Sequence, residues 1–202
     1  MYLTTPKAAL GFKAAAISVT PVFARHLMGM HCELRQLTPD YAQKLLADPD
    51  QVLHYVERVE SGRLPKEAQG EDLNLDKNWH GLHYLLTGTA WAGPEPACYL
   101  LAGGAQVGDE EEHDVFGYGP ARILTPAQVA AFREAVAALT ADEIARRYNP
   151  TAMTGLDIYP NVWNRPEEAA DNLASLKDSA AELRGFLRRA VALQQAVIIY
   201  LV

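Results

Sequence analysis

The stretch Trp79-His80-Gly81-Leu82-His83-Tyr84 places a tryptophan, two histidines and a tyrosine in six consecutive positions. Imidazoles three residues apart leave one side of a helix together, where both could reach one metal ion or either could move a proton. The neighbouring sequence completes neither chemistry. The glutamate that lies between paired histidines in helical zinc sites is absent, and a third ligand would have to come from His113 in a distant acidic run. No metal and no cofactor is therefore expected. For acid–base work the candidates are His80, His83, Tyr84 and Asp157, with Tyr159 beside the last. A structural reading competes with this one. Leu75, Trp79, Leu82, His83 and Leu86 form a stripe at helical spacing, which would seat His83 in a core with a buried hydrogen bond, Thr87 being a candidate partner.

Other chemistries find less support. Ser18, Ser61, Ser175 and Ser179 lack the Gly-x-Ser-x-Gly turn of a nucleophilic serine. Cys32 neighbours His31 on a predicted strand, where consecutive side chains point to opposite faces and cannot form a dyad. Cys98 with His80 or His83 stays geometrically open. Gly103-Gly104-Ala105-Gln106-Val107-Gly108 has neither the Lys-Ser/Thr ending of a phosphate loop nor dinucleotide-fold spacing, and reads as a turn.

Two groups remain as binding candidates. The acidic run Asp109, Glu110, Glu111, Glu112 and Asp114, with His113 inside it, matches no calcium loop. It reads as a solvated loop or as a docking surface for a basic protein. Trp79, Tyr84, Trp91, Tyr159 and Trp163, with polar neighbours His80, His83, Asp157 and Asn161, are the best candidates for a pocket lining.

The elements that must position these residues are well punctuated. Met30 to Leu37 alternates as a half-buried strand. Thr38-Pro39 and Thr125-Pro126-Ala127-Gln128 open helices, and Asp48-Pro49-Asp50-Gln51 has the spacing of a second capping box. Residues 61–74 read as a loop, 75–88 as the helix bearing the histidines, and 93–120, with six glycines, as irregular. Ala121 to Leu124 is a short strand. The helix after Thr125 carries the stripe Val129, Phe132, Val136 and Leu139. Thr140 caps a further short helix that ends at Asn149-Pro150. Leu173 to Gln194 predicts the longest helix, and the continuously apolar Ala196–Val202 a central strand buried on both faces. The expected fold is α+β: a single domain in which a small mixed sheet packs with several helices.

At 202 residues, 49% apolar and 21% charged, the chain suits one soluble domain. Its net charge of -7 argues against nucleic acid and anionic membranes and is compatible with a basic protein partner. Cys32 and Cys98 fit free thiols in a reducing cytosol. Residues 1–27 lack acidic residues and are broken by Lys13 and Pro21, so they are expected to be an extension outside the fold, with residues 28–202 forming the domain.

Met28-Gly29-Met30, Leu75 to Gly88, Gly117-Tyr118-Gly119-Pro120-Ala121-Arg122-Ile123-Leu124-Thr125, Ile158-Tyr159-Pro160 and Val197-Ile198-Ile199-Tyr200 occur in this order. Together they resemble the YfbM-like family of small bacterial proteins, a domain of unknown function. The resemblance covers residues 28–202. It implies a single-domain α+β fold in a cytoplasmic bacterial protein and brings no catalytic residues with it. The functional expectation is a non-catalytic protein-binding module, immunity- or adaptor-like, using an acidic, loop-rich face. The alternative is an enzyme with a His/Tyr/Asp pocket lined by aromatics.

Overall fold

In the computed structural model, residues 29–64, 68, 70–115 and 117–202 are described, and the predicted extension 1–27 lies outside them. The described chain runs β1 (Cys32–Leu37), α1 (Pro39–Ala47), α2 (Gln51–Glu60), β2 (Asp72–Asn74), α3 (Trp79–Thr87), β3 (Ala105–Gln106), β4 (Arg122–Leu124), α4 (Pro126–Ala137), α5 (Ala141–Arg147), α6 (Pro150–Gly155), α7 (Ala169–Ala192) and β5 (Ala196–Leu201).

The strands form one sheet in the order β2-β1-β5-β4-β3. The apolar C-terminal strand sits at its centre, with Cys32 opposite Leu201 and Leu37 opposite Ala196. Helices cover both faces. Cys32, Leu34, Leu124, Val197 and Ile199 point to one side, into a core shared with α3, α4 and α7. Leu37, Ile123, Ile198 and Tyr200 point to the other, against α1, α2 and the 107–121 segment. The predicted α+β domain with its long helix and buried last strand is thus present. The sheet, however, is antiparallel throughout rather than mixed. A continuous apolar run reports burial on both faces, and burial on both faces does not set strand direction.

The helix starts follow their caps. Thr38 accepts from Tyr41 N–H, Thr125 and Gln128 make a reciprocal capping box, and Thr140 accepts from Glu143 N–H. The box expected at Asp48 does not form. Asp48 instead closes α1, and the Gln51 side chain donates back to its carboxylate at 3.2 Å. Asn149-Pro150, read as a helix end, also opens α6, because Asn149 accepts from Ala152 N–H. No helix among the described residues is long and apolar enough to cross a membrane.

Candidate functional site

α3 begins after a single 3-10 turn at Asp76–Asn78 and ends at Gly88, whose φ of 75° is the left-handed cap that glycine tolerates. The helix is buried around most of its circumference and not along the predicted stripe alone: Trp79, His80, Gly81, Leu82, His83 and Leu85 are buried, while Leu86 of the stripe is half-buried. His80 Nδ1 accepts from the Tyr159 backbone N–H at 3.0 Å, which leaves the proton on Nε2, and Nε2 donates to the Ala90 carbonyl at 2.8 Å. Both ring nitrogens are spent on main chain, and burial holds the imidazole pKa below its ordinary value. His83 Nε2 donates to the Ala92 carbonyl at 3.2 Å, while its Nδ1 is buried without a partner. Burial pushes His83 down to about 4. Thr87 is not the partner of the His83 ring; its hydroxyl donates to the His83 backbone carbonyl one turn back.

The predicted aromatic group is assembled around these histidines. Trp79 stacks on His80 at 4.8 Å and on Tyr159 at 5.8 Å, and its indole N–H donates to the Met30 carbonyl. Tyr159 receives the Met30 N–H at 3.0 Å, and Trp163 donates to the Ile158 carbonyl. A Cβ on Gly29 would meet the Tyr159 hydroxyl at 2.3 Å, which accounts for the glycine before Met30. Trp79 and Trp163 are core, whereas Trp91 lies 60% exposed with its ring 4.3 Å from His80. Tyr84 is half-buried and lines a separate cleft with Gly88 and Arg147. Asp157 holds Asn161 through a 2.5 Å hydrogen bond, both residues having positive φ. These groups brace three chain segments, Met30, the 88–92 turn and the 157–163 connection, against α3.

The acidic run is a built turn. The Asp109 carboxylate caps the N–H groups of Glu111 and Glu112, and the Asp114 carboxylate receives Gly119 N–H. His113, 8% exposed, accepts from Asp109 N–H at Nδ1 and donates from Nε2 to Asp50 at 3.3 Å, tying the turn to the start of α2. The acidic groups and His113 approach closely enough to suggest a cation ligand set. Both nitrogens of His113 and the Asp109 cap are already committed to the turn. Gly108, at φ 76°, has no room for a Cβ, which would lie 2.3 Å from the His113 ring. Glu110, Glu111 and Glu112 stand exposed on the outer side, joined by Asp50 at 87% side-chain exposure.

Two features escaped the sequence reading. Arg122 on β4 sends its guanidinium under the 95–104 turn, where it donates to the carbonyls of Tyr99, Leu100 and Gly103. Beneath α2, a cleft of about 270 Å³ is lined by Glu33, Arg35, Asp72 and Tyr200 with Val56 and Val59. Arg35 lies 3.5 Å from Asp72, and Glu33 accepts from Asn74 at 2.6 Å. Burial, with Asp72 alongside, raises Glu33 to about 7. Glu33 and Arg35 alternate as an ordinary polar strand face, and the strand bearing Asp72 is only three residues long, so nothing local marked the cluster.

The family described as Domain of unknown function (DUF1877) matches residues 28–200. Among solved structures, a crystal structure of YfbM, a protein of unknown function from Escherichia coli, is similar. It has a TM-score of 0.64 at 20% sequence identity, covering 85% of this chain and 99% of that one. At that identity the likeness establishes the fold alone. No curated protein matches the chain.

Proposed function

The chain belongs to the DUF1877 family, a domain of unknown function, and from its own surface chemistry we propose that it is a non-catalytic protein-binding module. In this reading it is immunity- or adaptor-like, works in the bacterial cytoplasm, and engages a basic partner through the acidic face at 109–114. The observation that carries the reading is the division of labour within the turn. Asp109, His113 and Asp114 spend their polar atoms on shaping the loop, which leaves Glu110, Glu111 and Glu112 exposed on a preformed scaffold. A rigid patch of one sign loses little freedom on docking and steers an oppositely charged surface toward it. Buried free thiols at Cys32 and Cys98 are in keeping with a reducing compartment.

The enzyme alternative, built on His80, His83, Tyr84 and Asp157, draws little from the geometry. His80 and Asp157 are occupied in bracing the chain, and both imidazoles are closed off from any substrate.

The test is affinity capture with the full chain from native cytosol at modest salt, beside a Glu110→Gln/Glu111→Gln/Glu112→Gln variant that leaves Asp109 and Asp114 in place. A stoichiometric partner, lost with the triple variant and weakened by salt, is the expected result. Equal capture by both proteins would reject the acidic face as the docking surface.

A further inference from the structure

We infer that the cleft between β4 and the end of β5 binds the C-terminal residue of a partner protein, with its free carboxylate against Arg122. The inference rests on the acidic-face reading for the basic character of that partner and adds the segment by which it docks.

The cleft is a split in the sheet. The last β4–β5 pair is Arg122 opposite Ile199. Beyond it the β4 chain stays with β3: Val107 N–H donates to the Ala121 carbonyl at 2.9 Å, and Pro120 bridges to Asp114. β5 meanwhile stays with β1 as far as Leu201 opposite Cys32. A space of about 220 Å³ opens between them, lined by Leu100, Gly119, Pro120, Arg122 and Leu201, with Glu110 also on its wall.

The end of β5 presents an unpaired strand edge to this space. His31 and Val202 exchange both main-chain hydrogen bonds, at 2.7 and 2.9 Å. Bonded and non-bonded pairs alternate along an antiparallel ladder, so Leu201 turns its N–H and carbonyl away from β1. The β4–β5 register puts Pro120 opposite Leu201, and proline has no N–H to give. Leu201 thus has no ladder partner on this side among the described residues. Arg122, at the apex of the split, brings a charge. Three carbonyls take three of the five N–H donors of its guanidinium, which leaves two. No carboxylate pairs with Arg122 among the described residues, and burial lowers its pKa, as befits a cation that no anion offsets.

The split also fixes the direction of a bound chain. A residue added antiparallel to β5 gives its N–H to the Leu201 carbonyl, on the open side, and accepts the Leu201 N–H toward the apex. The Arg122–Ile199 pair closes the apex, so an entering chain ends there. Its terminal carboxylate then accepts from Leu201 N–H beside the guanidinium. A parallel chain would instead press its terminal ammonium on Arg122, like charge on like. Upstream residues leave past Glu110, which is exposed and belongs to the acidic run. Basic residues just before the terminus therefore carry the contact from the cleft onto that face.

Fluorescence anisotropy tests this with the full chain and N-terminally labelled peptides Lys-Lys-Gly-Gly-X, X being each common amino acid in turn. Saturable binding is expected from at least one peptide with a free carboxylate, at least about tenfold weaker when that carboxylate is an amide. Leu201→Pro removes the one N–H of Leu201, which β1 does not use, and should weaken binding at least about tenfold. The comparison of acid with amide needs only wild type, so it decides the matter even if this variant fails to fold. Silence from every free-carboxylate peptide overturns the inference, as does equal binding of acid and amide, or an affinity unmoved in folded Leu201→Pro. Ser-Ser-Gly-Gly-X peptides and the Glu110→Gln/Glu111→Gln/Glu112→Gln variant separate the two readings. Carboxylate-dependent binding that ignores both changes keeps the cleft and rejects the acidic face. Binding that needs the lysines and the glutamates but ignores the carboxylate keeps the face and overturns the cleft.

Discussion

His80 and Tyr159, 79 positions apart, are joined by a hydrogen bond from the Tyr159 backbone N–H to His80 Nδ1 at 3.0 Å. That one bond sets the tautomer of His80, directs its Nε2–H to Ala90, and anchors the 157–163 connection to α3. The most conspicuous candidate for chemistry in the chain is therefore a brace between two loops.

Replacing His80 with Phe keeps a ring against Trp79 and removes both hydrogen bonds. The Tyr159 N–H and Ala90 carbonyl would be left buried and unpaired, at a cost of about 2–4 kcal/mol for the two. Urea unfolding should show this loss in midpoint with an unchanged slope. A loss below about 0.5 kcal/mol would mean the brace is dispensable.

Acid should weaken the fold through His83. Its folded pKa of about 4 lies below the ordinary 6.5, so between these values the unfolded chain takes up a proton that the folded chain refuses. Its contribution is complete above pH 6.5 and lost as pH falls toward 4, about 3 kcal/mol in all. His80, also lowered, adds in the same direction. Glu33 has the opposite sign: raised from 4.5 to about 7, it contributes fully below 4.5 and loses that contribution as pH rises through 7. Because the His83 loss and the Glu33 gain are of similar size and oppose each other between pH 4.5 and 6.5, the His83 effect is read as a difference between proteins: in urea midpoints measured from pH 4 to 8, His83→Gln, which can keep a donor to Ala92, should gain stability relative to wild type as pH falls through this window. A wild-type-minus-variant difference that does not change with pH would remove His83 as the titrating group.

Arg122→Met should loosen the 95–104 turn. Three carbonyls, of Tyr99, Leu100 and Gly103, would lose a charged donor at once, costing about 3 kcal/mol or more. Hydrogen exchange should rise at residues 97–104 before it rises in β5. Arg122→Lys should recover only part of the loss, because a point-like ammonium cannot span three acceptors. Full recovery by lysine would show that charge alone, and not the planar fork, holds the turn.

The local grammar of the chain was readable wherever one residue type has one use. Thr125 and Gln128 predicted their capping box, Gly88 its left-handed helix end, and Ala196–Val202 a central strand, each because the determining contacts lie within a few residues or in the apolar pattern itself. Asp48-Pro49-Asp50-Gln51 had the same spacing as a true box and failed to form one, because α1 ends directly into α2 and takes Asp48 as its closing residue.

Sequence alone determined that this is one α+β domain with a histidine-bearing helix and a buried last strand, and that an acidic run lies in its irregular stretch, since side-chain periodicity and charge clustering are properties of neighbouring residues. Only the tertiary structure decided what the polar groups do. Ala90 and Tyr159 had to arrive from separate segments before His80 became a brace, and Asp50 had to meet His113 before the acidic run became a fixed turn. Pairing β2 with β1 likewise brought Asp72 beside Arg35 and Glu33 and made a cleft of three ordinary surface residues. Hydrogen bonds and charge pairs act over a few ångströms, and the chain distance between partners leaves no trace in local sequence.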